Sequence, residues 1–191
     1  MGKGKVSDAV IEDHRELEHY YNNIMNAKDA DTKERWQNQF VWELARHSIA
    51  EELVVYPEFE KNLPNGHDMA EKDRGDHRVV KEKLYKFQKL KANDPDFEPT
   101  LQDLWQDLSE HIKDEEKNDL PALEKELSVA DSESVANSFE RTKMFVPTKS
   151  HPSAPDRPPY ETVAGLMAAP MDRLMDMFKK FPKDKDEKVS P

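Results

Sequence analysis

The chain has 191 residues and a formal net charge of −11, from 29 Lys and Arg against 40 Asp and Glu. That length suits one domain with an appendage. The negative charge argues against nucleic acid or an anionic membrane surface as a partner, because both need clustered Lys and Arg. The absence of cysteine excludes disulfides, thiolate nucleophiles and Cys-ligated metals. Neither a secretory signal nor a membrane-spanning run is found, so we expect an intracellular, cytoplasmic protein.

Four segments before residue 128 place apolar residues and histidines at the three- and four-residue spacing of one helix face. The four sets are Val10, His14, Leu17, Tyr21 and Ile24; Phe40, Leu44, His47, Glu51 and Val54; Met69, Asp73, His77, Val80, Leu84 and Phe87; and Leu101, Leu104, Leu108, His111 and Glu115. Short segments rich in turn residues separate them, and helices joined so closely pack antiparallel. The spacing predicts an all-α fold, an up-down-up-down four-helix bundle of two helical hairpins over residues 1–128.

The composition changes near Ser128, because most of the thirteen prolines follow it. Residues 129–191 are therefore predicted to be a C-terminal extension of irregular chain. It contains a proline-rich segment over 147–159 and one short amphipathic helix between 160 and 181. This helix either docks on its own bundle or binds a protein partner or a membrane surface, and its methionines suit an irregular surface.

The two halves of the predicted bundle repeat one pattern. The matching groups are Asp13-His14-Arg15 with Asp76-His77-Arg78, His47-x3-Glu51-Glu52 with His111-x3-Glu115-Glu116, and Pro57 with Pro121. Such a repeat predicts a pseudo-twofold arrangement that brings the matching groups around one centre. Each of the two prolines is expected to kink or loosen the last turns of its helix.

Polar residues inside the apolar stripes point to a metal site. A buried carboxylate costs several kcal/mol unless it is protonated, paired or bound to metal. A single buried histidine is usually a hydrogen-bonded core residue, but here every stripe has one, and two stripes add a carboxylate one turn later. Nitrogen and oxygen ligands without sulfur suit Fe, Mn, Zn or Co, and two bridging carboxylates favour a dinuclear site. The candidate ligands are His14, His47, Glu51, His77, His111 and Glu115.

These residues, in this order and placement, resemble the hemerythrin-like, HHE cation-binding family over about residues 6–128. The resemblance implies a non-haem di-iron centre in a four-helix bundle, with two Fe ions as cofactor and Mn or Zn as second choices. It also implies that Glu51 and Glu115 bridge the ions and that the four histidines are terminal ligands. Oxygen carriers of the family place their fourth-helix acid five residues after the histidine, at Glu116 here, whereas helical geometry favours Glu115.

Oxygen carriers of this family have a fifth histidine where this chain has Asp73. Either Asp73 binds the second iron or water fills the position, and a more anionic set of ligands favours Fe(III) over the diferrous form that captures O2. Asp13 and Asp76 are either hydrogen-bond acceptors for a ligand histidine on a neighbouring helix or exposed charges.

Three classes of function stay open at this stage. The first is a protein that binds or senses O2, NO, peroxide or iron, with a small diatomic molecule or peroxide as its partner at the metal site. The second is a di-iron oxidoreductase, similar to a peroxidase or an NO reductase, which needs an open coordination position and an electron donor. The third is an adaptor that uses the bundle and the C-terminal helix to bind another protein.

Overall fold

The computed structural model describes residues 4–153, 156–157 and 160–183, and every regular element within these ranges is helical. The all-α prediction is thereby confirmed. In chain order the helices are α1 Val6–Asn26, α2 Ala30–Ala50, α3 Tyr56–Asn62, α4 Gly66–Phe87, α5 Phe97–Asp114, α6 Leu120–Glu126, α7 Val129–Lys143 and α8 Tyr160–Asp176. Within the same ranges, no helix is long and apolar enough to cross a membrane.

The hairpins form where the sequence supplies helix caps and tight turns. Asp29 caps α2 by accepting a hydrogen bond from the Thr32 backbone N–H at 2.9 Å. Gly66 begins α4 so close to the preceding turn that an added Cβ would lie 1.8 Å from the Phe59 carbonyl oxygen. Helix α1 packs along α2, and α4 packs along α5. The up-down-up-down order of these helices stays a prediction.

The helices bury two separate apolar clusters. The first, built around Leu17, Phe40 and Leu101, takes residues that follow the histidines of α1 and α4 and mostly precede those of α2 and α5. The second, built around Val10 and Phe59, takes residues from the opposite parts of α1, α2 and α4 and from α3, α6 and α7. The buried histidines and carboxylates therefore form a polar layer between two apolar ones.

Both long second helices of the hairpins widen into a single π-helical turn before continuing. The turns are Glu51–Val55 and Glu115–Asp119, and Pro57 and Pro121 follow them at the start of α3 and α6. Each proline lacks the N–H that an α-helix would use there. The wider turn accommodates this loss, and π turns of this kind are frequent at functional sites.

One prediction for the C-terminal extension is wrong. Instead of irregular chain after Ser128, the structure has helix α7, whose Val135, Ala136 and Phe139 join the second apolar cluster. The apolar positions of α7 are few and lie among Ser, Ala and Glu residues, so its periodicity is weak in the sequence. The boundary between residues 1–128 and 129–191 stays a prediction, although α7 shares the core of the bundle.

The remainder of the extension runs back over the bundle. Ser150 Oγ donates to the Lys81 carbonyl oxygen at 2.5 Å, and Asn38 Nδ2 donates to the Lys180 carbonyl oxygen at 2.8 Å. The predicted amphipathic helix is present as α8, and Met171, Leu174, Met175 and Phe178 are exposed at its C-terminal end. Part of the proline-rich segment, at 154–155 and 158–159, lies outside the described residues, as do the side chains of the first half of α8.

Candidate metal centre

Four histidines from four helices meet in the polar layer. His14 of α1 and His47 of α2 have ring centroids 5.0 Å apart, and His77 of α4 and His111 of α5 have theirs 4.8 Å apart. All four side chains are buried. The structure thus brings together the predicted histidines as two pairs, one from each hairpin.

Two carboxylates from the π turns stand between the histidine pairs. Glu51 Oε2 lies 3.2 Å from His47 Nε2 and 3.4 Å from His77 Nε2. Glu115 Oε2 lies 3.4 Å from His14 Nε2 and 3.9 Å from His111 Nε2. Each carboxylate therefore faces one histidine of each pair. Each is fully buried, and none of its oxygens has a hydrogen-bond partner within the described residues.

The electrostatics of the two carboxylates show that they cannot both be charged without compensation. Burial and the neighbouring charge of Glu115 raise the pKa of Glu51 well above its ordinary value. Burial also acts to raise the pKa of Glu115, but His14 and His111 overcome it and hold that pKa below its ordinary value. In the absence of a cation, burial and the charge of Glu115 therefore favour the protonated form of Glu51.

Four further carboxylates lie behind the histidines, and three of them are hydrogen-bonded to their histidine, whereas Asp76 lies beyond hydrogen-bond distance. Their contacts with the Nδ1 atoms are Asp13 with His47 at 3.1 Å, Glu52 with His77 at 2.9 Å, Glu116 with His14 at 2.9 Å and Asp76 with His111 at 3.6 Å. A carboxylate that accepts from Nδ1–H leaves the Nε2 lone pair free for a ligand. This arrangement obeys the repeat, since Asp13 corresponds to Asp76 and Glu52 to Glu116.

The Nε2 atoms of His77 and His111 face one another across the centre. His77 Nε2 lies 3.2 Å from His111 Nε2, and the Tyr56 hydroxyl lies 2.9 Å from the same His77 atom. Two imidazole lone pairs at this distance repel each other unless a proton or a cation lies between them. Burial lowers the pKa values of both His47 and His77, which disfavours their protonated forms, whereas Asp76 and Glu115 raise the pKa of His111.

A cation in turn neutralises each outer carboxylate. Lys143 Nζ lies 2.5 Å from Asp13 Oδ1, Arg15 Nη2 lies 2.5 Å from Glu116 Oε2, and Lys72 Nζ lies 3.4 Å from Asp76 Oδ2. Lys81 pairs in the same way with Glu52. The negative charge of these outer groups is thereby offset, and the charge available to a metal comes mainly from the inner carboxylates.

Asp73 is buried one turn before His77, close to the centre but in a different group of residues. One of its oxygens lies 3.2 Å from Lys72 Nζ, and the other has no hydrogen-bond partner. Potential ligand atoms of Asp73, Asp76 and His111 lie within 4.8 Å of one another. Burial and the charge of Glu115 raise the pKa of Asp73 to about 6.

The structure shows which of the other acidic residues lie inside the centre and which lie toward the solvent. Asp13 is buried and accepts from His47, whereas Asp76 is half-exposed and lies farther from its histidine. Glu115 faces the Nε2 atoms, while Glu116 contacts Nδ1 of His14 and pairs with Arg15. The geometry therefore favours Glu115 over Glu116 as the inner carboxylate.

Sequence reasoning did not assign a role to Glu52, Tyr56, Asp119 or Lys143. The sequence did contain an indication for Glu52, because the internal repeat has Glu116 at the matching position, directly after an inner carboxylate. No pattern pointed to Tyr56, since Leu120 occupies the matching position of the repeat. Lys143 is separated from Asp13 by 130 residues of chain, which no local pattern can bridge.

Comparison with known proteins agrees with this geometry. Residues 5–123 match the family model described as the hemerythrin HHE cation binding domain. The chain belongs to the hemerythrin HHE family. It is 60% identical, over 179 residues, to an uncharacterised hemerythrin-like protein of Schizosaccharomyces pombe, with 93% of this chain and 88% of that protein covered.

Two more distant relatives belong to bacteria. A hemerythrin HHE cation-binding domain-containing protein from Mycobacterium kansasii has a crystal structure that superposes with a TM-score of 0.65 at 17% identity, covering 74% of this chain and 86% of that one. This similarity shows the shared fold. A DNA nickase of Nostoc sp. is 22% identical over 138 residues, which are 72% of this chain but 39% of that protein. Membership of the HHE family and the buried His and Glu groups support a cation-binding centre in this chain.

Proposed function

We propose that this protein holds two iron ions in the polar layer and uses them to bind or sense a small oxidant such as O2, NO or peroxide. The observation that carries the proposal is the placement of Glu51 and Glu115, each between one histidine of each pair with unpartnered oxygens. Bridging carboxylates between histidine-bound ions are a standard solution in helical bundles. The oxygen and nitrogen donors suit iron, with Mn and Zn as second choices.

In this proposal the inner residues supply the ligands of two metal positions. His14 and His47 would hold one ion and His77 and His111 the other, with Glu51 and Glu115 as carboxylate ligands available to both. Asp73 is the additional carboxylate, which reaches the ion on the His111 side. The outer acids Asp13, Glu52 and Glu116 fix the tautomers of their histidines so that Nε2 would face the ions, and Asp76 is the nearest carboxylate to Nδ1 of His111.

The charge around the ions selects among the possible ligands. Glu51, Glu115 and Asp73 together offer three negative charges, which stabilise Fe(III) more than Fe(II). Reversible O2 carriage needs an accessible diferrous state, so we propose sensing or binding of an oxidant instead. When bound, iron supplies a position for a diatomic molecule or peroxide and a change of oxidation state. Tyr56, buried beside His77, offers a hydroxyl proton to a molecule bound there.

An oxidoreductase is the second candidate, and Tyr56 is the observation that favours it. A buried hydroxyl within hydrogen-bond distance of a proposed ligand can donate a proton to a reduced oxygen or nitrogen species. The adaptor function, the cytoplasmic location and the up-down-up-down order of the helices also stay predictions. The exposed apolar residues at the end of α8 are the part of the described chain that an adaptor would use.

Iron loading followed by spectroscopy tests the proposal. The protein is loaded with ferrous iron under anaerobic conditions, assayed for metal by elemental analysis, and then exposed to O2, NO or peroxide while its optical absorption is followed. We expect about two irons per chain and a spectrum that changes once and saturates. Continued consumption of oxidant would indicate the oxidoreductase. Less than one iron per chain, with no other transition metal bound, would contradict the proposal.

A further inference from the structure

Lys72 occupies a position that resembles a cation site. Its Nζ lies 2.6 Å from Asp114 Oδ2, 3.2 Å from Asp73 Oδ1 and 3.4 Å from Asp76 Oδ2. Three carboxylates around one cation form an arrangement that would also suit a divalent ion. The side chains of Asp76 and Asp114 are 43% and 38% exposed, whereas Asp73 is fully buried, so the group extends from the surface to the polar layer.

The repeat provides a matching position on the other side of the centre. There Lys143 Nζ lies 2.5 Å from Asp13 Oδ1, 3.3 Å from Glu43 Oε1 and 3.5 Å from Glu140 Oε1. Asp13 and Asp76 correspond in the repeat, and each has a lysine ammonium over it. The two sides of the centre can therefore be compared directly.

The two lysines differ in how firmly they are held. The Lys72 side chain is 50% exposed and lies at the surface of α4. The Lys143 side chain is 8% exposed and belongs to α7, whose Phe139 is packed in the second apolar cluster. Moving Lys72 aside therefore needs only a rotamer change of a half-exposed side chain, whereas moving Lys143 must break the contacts of a buried ammonium with several carboxylates.

Unpartnered oxygens are also found on the Lys72 side. Asp73 Oδ2 and Asp119 Oδ2 are buried without a hydrogen-bond partner, and neither Asp13 nor Glu43 has such an atom. Burial and the charges of Asp73 and Glu115 raise the pKa of Asp119 to about 7. The repeat places Val55 where this half has Asp119, and Val10 where it has Asp73. Acidic side chains therefore continue from the surface toward the polar layer in the second half of the repeat, whereas the first half has valines at the matching inner positions.

An acidic cleft on the Lys143 side is the competing route. This cleft, of about 1200 Å³, lies between α1, α2 and α7 and is lined by Glu12, Asp13, Glu16, Glu43, Glu140 and Lys143 among others. Its inner end is closed, because Lys143 already engages both oxygens of Asp13. A cation in the cleft would meet a buried ammonium before it reached a histidine.

We propose that Asp114, Asp76 and Asp73 form a loading site for divalent cations, through which metal reaches the centre when Lys72 moves aside. The proposal rests on the metal centre proposed above. In it, the exposed carboxylates of Asp114 and Asp76 attract the ion, and the unpartnered oxygens of Asp73 and Asp119 lead it to Glu115 and His111. No rearrangement of a helix is needed.

Matched charge removals on the two sides test the proposal. Metal-free protein is mixed with ferrous iron anaerobically at low ionic strength, and the rate at which bound iron forms is measured for wild type, Asp114→Asn and Glu140→Gln. Each substitution removes one carboxylate charge beside a lysine. We expect Asp114→Asn to slow loading about threefold, in line with electrostatic steering, and Glu140→Gln to leave the rate unchanged. Lys72→Met should speed loading, because it frees the cation position.

The outcomes separate this inference from the proposed function. Wild type that takes up no metal would contradict the proposed function, whereas normal uptake with equal rates for Asp114→Asn and wild type would overturn the loading site alone. Slower loading in Glu140→Gln than in Asp114→Asn would place the route in the cleft, and a lower final iron content in Asp114→Asn would make that residue a ligand; either overturns the proposal. Exchange of bound iron for an isotope repeats the comparison in loaded protein, so a variant that unfolds without metal is still tested.

Discussion

At the scale of single residues, the candidate centre is surrounded by four rows of three side chains. In each row a histidine Nδ1 faces an acid, and that acid faces a Lys or Arg, as in His77, Glu52 and Lys81. The acid orients the histidine, and the cation offsets the charge of the acid. The donor strength of each Nε2 therefore depends on residues that do not touch the centre.

Replacing Glu52 tests this dependence. Glu52→Gln removes the charge opposite His77 and leaves Lys81 without its carboxylate, so we expect metal affinity to fall about 10- to 100-fold, the usual cost of such a change. Glu110→Gln, at an exposed position of α5, is the control and should leave affinity unchanged. Competition with a chelator of known affinity measures both. Equal affinities in the two variants would show that the outer acid does not matter.

Replacing Asp73 tests its role as a ligand. If Asp73 binds one ion, Asp73→Ala should lower the iron content from about two toward one per chain while the histidines keep the other ion, and Asp73→His should favour Fe(II) because imidazole is neutral. Asp68→Ala, exposed on the same helix, is the control. Elemental analysis and optical absorption measure the effect. Unchanged iron content in Asp73→Ala would mean that Asp73 is not a ligand of the centre and belongs only to the proposed loading site.

The inner residues of the centre were predictable because they obey two local rules. One histidine interrupts each apolar stripe, and His47 and Glu51 are separated by one helical turn, as are His111 and Glu115. Partners from distant parts of the chain, such as Lys143 for Asp13, obey no local rule. Asp13 itself was ambiguous, since a sequence does not show whether an acid beside a ligand points inward or to solvent.

At the scale of elements, the π turns and α7 shape the centre. In each turn two consecutive glutamates contact the histidine layer, Glu51 and Glu52 in one and Glu115 and Glu116 in the other. Helix α7 closes the side of the centre formed by α1 and α2, and its Phe139 ring lies 5.9 Å from the His47 ring. The prolines signalled an irregularity in the sequence, but its form, a widened turn in a continuing helix, depends on packing.

A matched pair of phenylalanines tests whether α7 is part of the folded core. Phe139 is fully buried, and Phe145, six residues later, is 63% exposed. Phe139→Ala should lower the free energy of unfolding by about 3–5 kcal/mol, as for other buried aromatic residues. Phe145→Ala should change it by less than about 0.5 kcal/mol. Denaturant titration of both variants measures this, and similar midpoints would mean that α7 does not stabilise the bundle.

At the scale of the whole molecule, a layer of ionisable groups separates two apolar clusters. The four apolar stripes predicted the bundle correctly as an all-α fold, because helix periodicity is strong where one face is continuously buried. The course of residues 147–153 and 180–183 was not predictable, since scattered hydrogen bonds to distant helices, such as that from Asn38 to Lys180, hold these segments. The ionisable layer makes stability depend on metal, because buried charges without a cation are costly.

The metal-free protein should therefore lose stability as the pH rises above about 6.5. Burial raises the pKa of Asp73 to about 6 and that of Asp119 to about 7. Burial acts to lower the pKa of His111, but Asp76 and Glu115 more than offset it, so that this pKa is raised as well. Groups with raised pKa values bind more protons in the folded than in the unfolded chain, so the stability they contribute is lost as the pH rises through the folded pKa.

Between about pH 6.5 and 8 the groups with raised pKa values oppose two histidines with lowered ones, and we expect the raised groups to dominate. His47 and His77, whose pKa values are lowered, are neutral when folded but about half protonated in the unfolded chain at pH 6.5, so they offset part of the loss until the pH rises above about 7. We expect the free energy of unfolding of the metal-free protein to fall by about 1 kcal/mol or more across this range. The iron-loaded protein should show a flat or rising profile, because metal binding competes with protons for the same ligands. Denaturant midpoints at the two pH values test both expectations. A metal-free midpoint that rises with pH would mean that the buried carboxylates are already ionised and compensated without metal.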